Sequence, residues 1–298
     1  GLPIVATVAL ARGMWRMARR QALINKLAAV ETLGATSVIL TDKTGTLTEN
    51  RMTVVQLALP GGDVRVSGEG LDLEGEFSRD DETVDPREDD QLEMILRTGV
   101  LCNNAALPES GGEDGDMESV GDPLEVALLV AGAKVGMRRP ELLESMPETQ
   151  EVAFEAETKM MATYHEDEDG YRVAVKGALD AVMDSCDRIR TPEGVEPLDE
   201  DRRERWMDRN RELAADGLRV IALATKTVDD PEAEPYEGLT FLGLAALLDP
   251  PREEVSDALA ACHRAGVRVV MVTGDQPETA RKVAQAVNLV SDEDAGVI

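Results

Sequence analysis

The chain has 298 residues, of which 31 are basic and 59 acidic, giving a formal net charge of −28. That excess excludes nucleic acid as a partner, because phosphate backbones are bound by clustered Lys and Arg. Apolar residues make up 43% of the chain, too many for a wholly disordered protein. Cys102, Cys186 and Cys262 lack the C-x-x-C spacing of a structural zinc site and fit a reducing compartment. The basic residues comprise 24 Arg and 7 Lys, and with so few aromatics this balance suits a protein working in concentrated salt, where screening shortens charge repulsion to roughly 3 Å at 1 M.

Residues 1–30 contain no acid but carry Arg12, Arg16, Arg19, Arg20 and Lys26 behind an apolar run from Gly1 to Ala11. Such a run is short of the about 20 residues that span a bilayer. Its order, apolar then basic, is that of the cytoplasmic end of a transmembrane helix, with an amphipathic surface helix as the alternative. Residues 36–41, Thr-Ser-Val-Ile-Leu-Thr, read as a buried strand that ends at Asp42. Residues 60–120 are rich in Gly, Asp and Glu, and the dense run from Glu76 to Asp90 reads as a solvated loop. Tyr171 to Val175 and Arg219 to Ala224 read as antiparallel strands, and Asp199 to Ala215 as a charged helix.

From Glu253 to Ala265 the apolar residues Val255, Ala258, Leu259 and Cys262 share one helix face. Residues 266–272 then form a second buried strand, ending at Thr273-Gly274-Asp275. Pro277 opens another helix, whose stripe runs through Ala280, Val283, Ala284 and Val287. Helix–strand–helix around apolar strands is the pattern of a doubly wound parallel sheet, which binds ligands at the carboxyl ends of its strands. Asp42 and Thr273-Gly274-Asp275 are therefore expected to converge, with a large second domain inserted between them.

A carboxylate at a strand tip followed by Lys43, Thr44 and Gly45 suits attack on a phosphate, since Gly45 admits close backbone approach and the Thr44 hydroxyl can donate. A turn-capping Asp is the alternative. The string Asp42-Lys43-Thr44-Gly45-Thr46-Leu47-Thr48 matches the phosphorylation signature of the P-type ATPases. Further strings resemble that family in the same order over essentially the whole chain. Gly1-Leu2-Pro3 resembles the tail of its membrane segment, and Ala29 to Gly34 its stalk. Phe154 with Lys159-Met160-Met161 resembles its adenine pocket, and Lys176-Gly177-Ala178 the lysine motif of that pocket. Arg219 stands at its phosphate-contacting arginine. Asp249-Pro250-Pro251-Arg252 resembles its hinge, and Thr273-Gly274-Asp275 its second phosphate motif.

The resemblance implies an α/β fold. Its phosphorylation domain is discontinuous and haloacid-dehalogenase-like, on a Rossmann-like parallel sheet, over residues 31–54 and 245–298. An inserted α+β nucleotide-binding domain on an antiparallel sheet occupies residues 55–244, and residues 1–30 are the end of a transmembrane helix and its stalk. It implies ATP and Mg²⁺ as cofactors, and ATP-driven cation transport across the cell membrane through an aspartyl phosphate at Asp42. The expected catalytic set is Asp42, Lys43, Thr44, Thr273, Gly274 and Asp275, with Asp42 and Thr44 toward the metal. Nucleotide contacts are expected from Glu125, Phe154, Lys159, Lys176, Gly177, Arg219, Asp249 and Arg252. The transported cation would bind outside this chain, in the membrane domain that anchors the full protein.

Haloacid-dehalogenase-like hydrolases commonly carry a second Asp two residues after the nucleophile. Thr44 stands there instead, and loss of a proton-transfer group typically costs about 10²–10⁴-fold, so an acyl phosphate would persist. Thr48 to Thr53 resembles the calcium and sodium/potassium pump branch. The family's Gly-Asp-Gly-x-Asn-Asp and Thr-Gly-Glu-Ser motifs are absent from the 298 residues, so the chain alone is expected to bind nucleotide without turning it over. The alternatives are a soluble phosphatase of the same fold with a large cap, which Thr44 disfavours, and a non-catalytic nucleotide-binding module.

Overall fold

The computed structural model describes residues 2–20, 22–68, 70–108, 120–168, 170–274 and 277–290. Two helices lead in, α1 (Leu2–Ala18) and α2 (Leu27–Gly34), followed by β1 (Val38–Asp42). No helix among the described residues is long and apolar enough to cross a membrane. Ile4, Val5 and Val8 of α1 are nonetheless largely exposed, and the Arg19 guanidinium lies 4.1 Å from the Trp15 ring centre.

After β1 the chain enters a large antiparallel sheet through β2 (Thr53–Leu59), β3 (Gly62–Val66), β4 (Phe77–Arg79) and β5 (Glu82–Thr83). The acidic run from Glu76 to Asp90 is therefore not a plain solvated loop: it contains the β4–β5 hairpin, anchored by Phe77 at 3% exposure. Asp89 then caps α3 (Asp90–Leu101) by accepting from the Gln91 and Leu92 N–H groups. Next come α4 (Pro123–Ala133), α5 (Arg139–Ser145), β6 (Glu148–Glu155), β7 (Met160–Asp167) and β8 (Gly170–Gly177). The insert closes with α6 (Leu179–Ser185), β9 (Cys186–Thr191), β10 (Gly194–Pro197), α7 (Glu200–Ala215), β11 (Arg219–Val228) and β12 (Leu239–Leu248).

The strand order is β5-β4-β3-β2-β12-β11-β8-β7-β6, with β9 also on β12 and β10 on β9. Helices cover both faces. Leu223 and Leu242 pack with Leu92, Ile95 and Leu128 of α3 and α4, whereas Ala222, Ala224, Phe241 and Leu244 pack with Val182 and Met183 of α6 and Leu213 of α7. Burial on both faces is why β12 reads as a near-continuous apolar run, broken only by Thr240. Asp199, N-terminal to α7, accepts from the Arg202 N–H, and Trp206 meets Phe241 edge-on at 4.9 Å between ring centres.

The remainder is α8 (Val255–Arg264), β13 (Arg268–Val272) and α9 (Pro277–Ala286). β1 and β13 pair in parallel, with Val38 opposite Arg268 and Asp42 opposite Val272. Leu47, Val255, Leu259 and Val287 form a small core that takes in Val269 and Met271 from one face of β13. The expected buried strand at residues 36–41 is exposed in this chain, with Leu40 at 70%. The reason is that the small core beside this sheet takes in Val269 and Met271 of β13 but no residue of β1.

Candidate functional site between the two sheets

Asp42 is the last residue of β1, and its carboxylate accepts the Lys43 N–H at 2.8 Å while remaining exposed. The chain then turns sharply. Gly45 adopts φ +76°, a left-handed conformation that suits glycine, and the Thr48 N–H closes the turn on the Lys43 carbonyl at 3.1 Å. Thr44 is exposed beside Asp42, and Lys43 is buried.

The turn is stapled to the segment that returns from the insert. The fully buried Thr48 hydroxyl donates to Asp249 Oδ2 at 2.6 Å and accepts the Gly45 N–H at 3.3 Å. Backbone bonds run from Glu49 N–H to the Pro250 carbonyl (2.9 Å) and from Arg252 N–H to the Leu47 carbonyl (3.0 Å). The Arg252 guanidinium donates to the Gly45 carbonyl at 3.2 Å, a backbone contact within the turn. Asp249 is 9% exposed, and its Oδ1 has no hydrogen-bond partner among the described residues. An orphaned buried carboxylate oxygen costs about 1–3 kcal/mol or more, and a cation or donor-bearing ligand would satisfy it.

Because β1 and β13 are parallel neighbours in register at Asp42 and Val272, Thr273 and Gly274 leave the sheet beside the Asp42–Lys43 step. Asp275, expected in the same motif, lies outside the described residues.

On the insert, Lys176 and Glu125 meet although they sit on β8 and the first turn of α4. Lys176 Nζ donates to Glu125 Oε1 and to the Cys102 carbonyl, both at 2.6 Å, and Glu125 Oε2 accepts the Asn104 N–H at 3.2 Å. Their side chains are only 9% and 12% exposed. The Lys176 ammonium is thus engaged by the protein itself. Gly177 is required at its position: a Cβ there would lie 2.5 Å from the Lys159 carbonyl oxygen. Lys159 lies between β6 and β7 at φ +54°, uncommon for a non-glycine residue, and its ammonium pairs with Asp180 at 2.8 Å. Phe154 on β6 is 61% exposed rather than packed in the core, and Arg219, opening β11, is also exposed.

A cleft of about 600 Å³ joins the two sides. Lys43, Asp249 and Gly274 line it from the parallel side, and Lys159, Asp180 and Arg219 from the insert. Five of the residues expected from the sequence thereby share one cavity. Phe154, Glu125, Lys176 and Gly177 are not among its lining residues, nor are Asp42, Thr44, Thr273 and Arg252. Sequence reasoning missed two residues here. Thr48 is the last member of the Asp42 string, and Asp180 stands two residues beyond Lys176-Gly177-Ala178, so position in those strings was the available signal.

The volume suits a nucleotide, since ligand clefts run about 300–1,000 Å³. The fit to Mg²⁺ rests on donor type. Asp42 offers a hard carboxylate and Thr44 a hydroxyl oxygen, both exposed, and no group of three or more His, Cys, Asp or Glu that could hold a metal occurs among the described residues. That set is too small for an all-protein cage, and Mg²⁺ is usually bound by one or two carboxylates together with substrate phosphates.

Comparison with known proteins bears on the same chemistry. A cation-transporting ATPase, pma1, of Synechocystis is 40% identical over 305 residues, covering 99% of this chain and 33% of that protein. A calcium-transporting ATPase of Bacillus subtilis is 37% identical, covering 97% of this chain and 33% of its own length. The probable cation-transporting ATPase F of Mycobacterium tuberculosis is 40% identical, with 98% and 32% covered. The chain therefore spans about a third of the length of these curated relatives. The family model for the P-type ATPase cytoplasmic domain N matches residues 91–254, more than half of the sequence, and the chain belongs to the P-type ATPases.

Proposed function

We propose that this chain is the nucleotide-binding and phosphoryl-accepting part of an ATP-driven cation pump, with Asp42 forming the aspartyl phosphate on the cytoplasmic side of the membrane. The observation that carries the reading is the cleft shared by Lys43, Asp249 and Gly274 on one side and Lys159 and Arg219 on the other. Cationic side chains from both halves of the molecule face one cavity at the carboxyl ends of two parallel strands, where α/β sheets bind phosphorylated ligands.

In this reading Phe154 stacks on adenine, with Glu125, Lys176 and Gly177 shaping that end of the insert. Lys159 and Arg219 take the polyphosphate. An Asp42 carboxylate oxygen attacks the γ-phosphorus, an O–P bond forms to Asp42, the bridging O–P bond breaks, and ADP leaves. Lys43, Thr273 and Gly274 donate to the transferred group, whose charge spreads over its oxygens in the transition state. Asp249 and Arg252 hold the turn that carries Asp42, and Asp275 belongs to the same side. Mg²⁺, held by Asp42 and Thr44 with the phosphates, would neutralise charge that otherwise repels the nucleophile. The exposed apolar residues of α1 support a membrane-facing role for residues 1–30.

The full-length protein tests the reading. Label from γ-labelled ATP should be retained in an acid-stable, hydroxylamine-sensitive adduct, and Asp42→Asn should abolish it. An Asp42→Asn protein that still labels would refute the assignment.

A further inference from the structure

Lys159 is held at three points. Its N–H donates to the Glu155 carbonyl at 2.7 Å, its carbonyl accepts the Ala178 N–H at 3.1 Å, and its ammonium pairs with Asp180. The missing Cβ of Gly177 lets the two segments approach, and the two backbone bonds hold Lys159 in its left-handed conformation. Asp180 lines the same cleft as Lys159, Arg219 and Lys43. The adjacent ammonium holds the Asp180 carboxyl below its usual range, so it is charged at neutral pH.

We propose that Asp180 is a built-in occupant of the Lys159 phosphate position, which a nucleotide polyphosphate must displace and whose negative charge weakens polyphosphate binding. The inference rests on reading the cleft as the nucleotide site. Two features favour a displaceable anion over a structural pair. Both side chains are about half exposed, at 53% and 54%, and pairs so exposed are worth at most about fivefold in an equilibrium. The carboxylate also gains no second protein cation in the cleft: Lys159 is its one ion-pair partner among the described residues. A phosphate chain carrying several charges and bridging Lys159 and Arg219 outcompetes it, whereas a neutral nucleoside gains nothing from displacing it.

The test is nucleotide binding by the 298-residue chain, measured by calorimetry with ATP, ADP and adenosine. Asp180→Asn should tighten ATP about 3–10-fold and ADP by less, and leave adenosine within about twofold. The gain should shrink in 0.5 M salt, where exposed charges are screened. In a Lys159→Gln background the same substitution should give less than half of its effect on ATP. Far-UV circular dichroism of each variant checks that it is folded. Unchanged or weaker ATP binding by Asp180→Asn, or equal tightening of adenosine, would overturn the proposal while leaving the nucleotide reading intact. No ATP binding by the unsubstituted chain would overturn both.

Discussion

Replacing Lys176 with Met keeps most of the side-chain stem but strips two bonds of 2.6 Å, to Glu125 Oε1 and to the Cys102 carbonyl. Glu125 is then left 12% exposed, with the Asn104 N–H at 3.2 Å as its remaining bond. Hydrogen bonds to charged groups contribute about 1.5–3 kcal/mol each, and removing one partner of a buried pair costs about 3–5 kcal/mol. We expect a loss in the latter range. Because most of it is the stranded carboxylate, the double variant Lys176→Met with Glu125→Leu should recover at least about 2 kcal/mol. Urea unfolding followed by far-UV circular dichroism, with linear extrapolation, reads both numbers. A single-variant loss below about 1 kcal/mol, the level of a solvent-exposed pair, would refute the reasoning. So would a double-variant loss equal to the sum of the two singles.

Three further outcomes follow from particular contacts. Gly177→Ala sets a Cβ 2.5 Å from a backbone oxygen, so it should cost about 1–3 kcal/mol and weaken fluorescent-nucleotide binding through Lys159; an unchanged Tm would contradict the steric account. Burial lowers the His165 pKa from its ordinary 6.5 to about 4, with Nε2 beside the Thr163 hydroxyl and Nδ1 beside the Met146 carbonyl. The unfolded chain therefore binds the extra proton between those values, and this group's contribution, about 3 kcal/mol, is complete above pH 6.5 and lost as pH falls toward 4. Proton NMR should show its imidazole neutral at pH 5.5, and a midpoint near 6.5 would refute this. Burial also pushes the Cys102 thiol up to about 11 and Cys186 to about 12, so brief alkylation at pH 8 should modify Cys262 alone in the native chain and all three in denaturant, as counted by mass spectrometry.

The family and much of the local structure were legible because they are carried by strings that are local in sequence. A β-branched run ending in Asp42-Lys43-Thr44-Gly45 announces both a strand and its tip, since Gly45 needs its left-handed φ. The helix carrying the stripe around Val283 and the charged helix that follows Asp199 are equally local. The β4–β5 hairpin was hidden because charged residues crowd its short strands, leaving Phe77 as the main buried anchor. The apolar run at residues 36–41 promised burial, yet burial depends on which neighbours a strand finds, and β1 finds β13.

Residue types and their order thus settled the parallel and antiparallel halves, the acidic exterior and the strings that mark the family. Tertiary structure alone decided the pairings. Thr48 meets Asp249 across 201 residues, and Lys176 meets Glu125 across 51. No periodicity encodes these meetings, because each arises where two distant elements pack together and exclude water. In that setting a buried polar atom is expected to find a partner, and Asp249 Oδ1, one of five buried side-chain atoms without one among the described residues, belongs to a residue that lines the cleft.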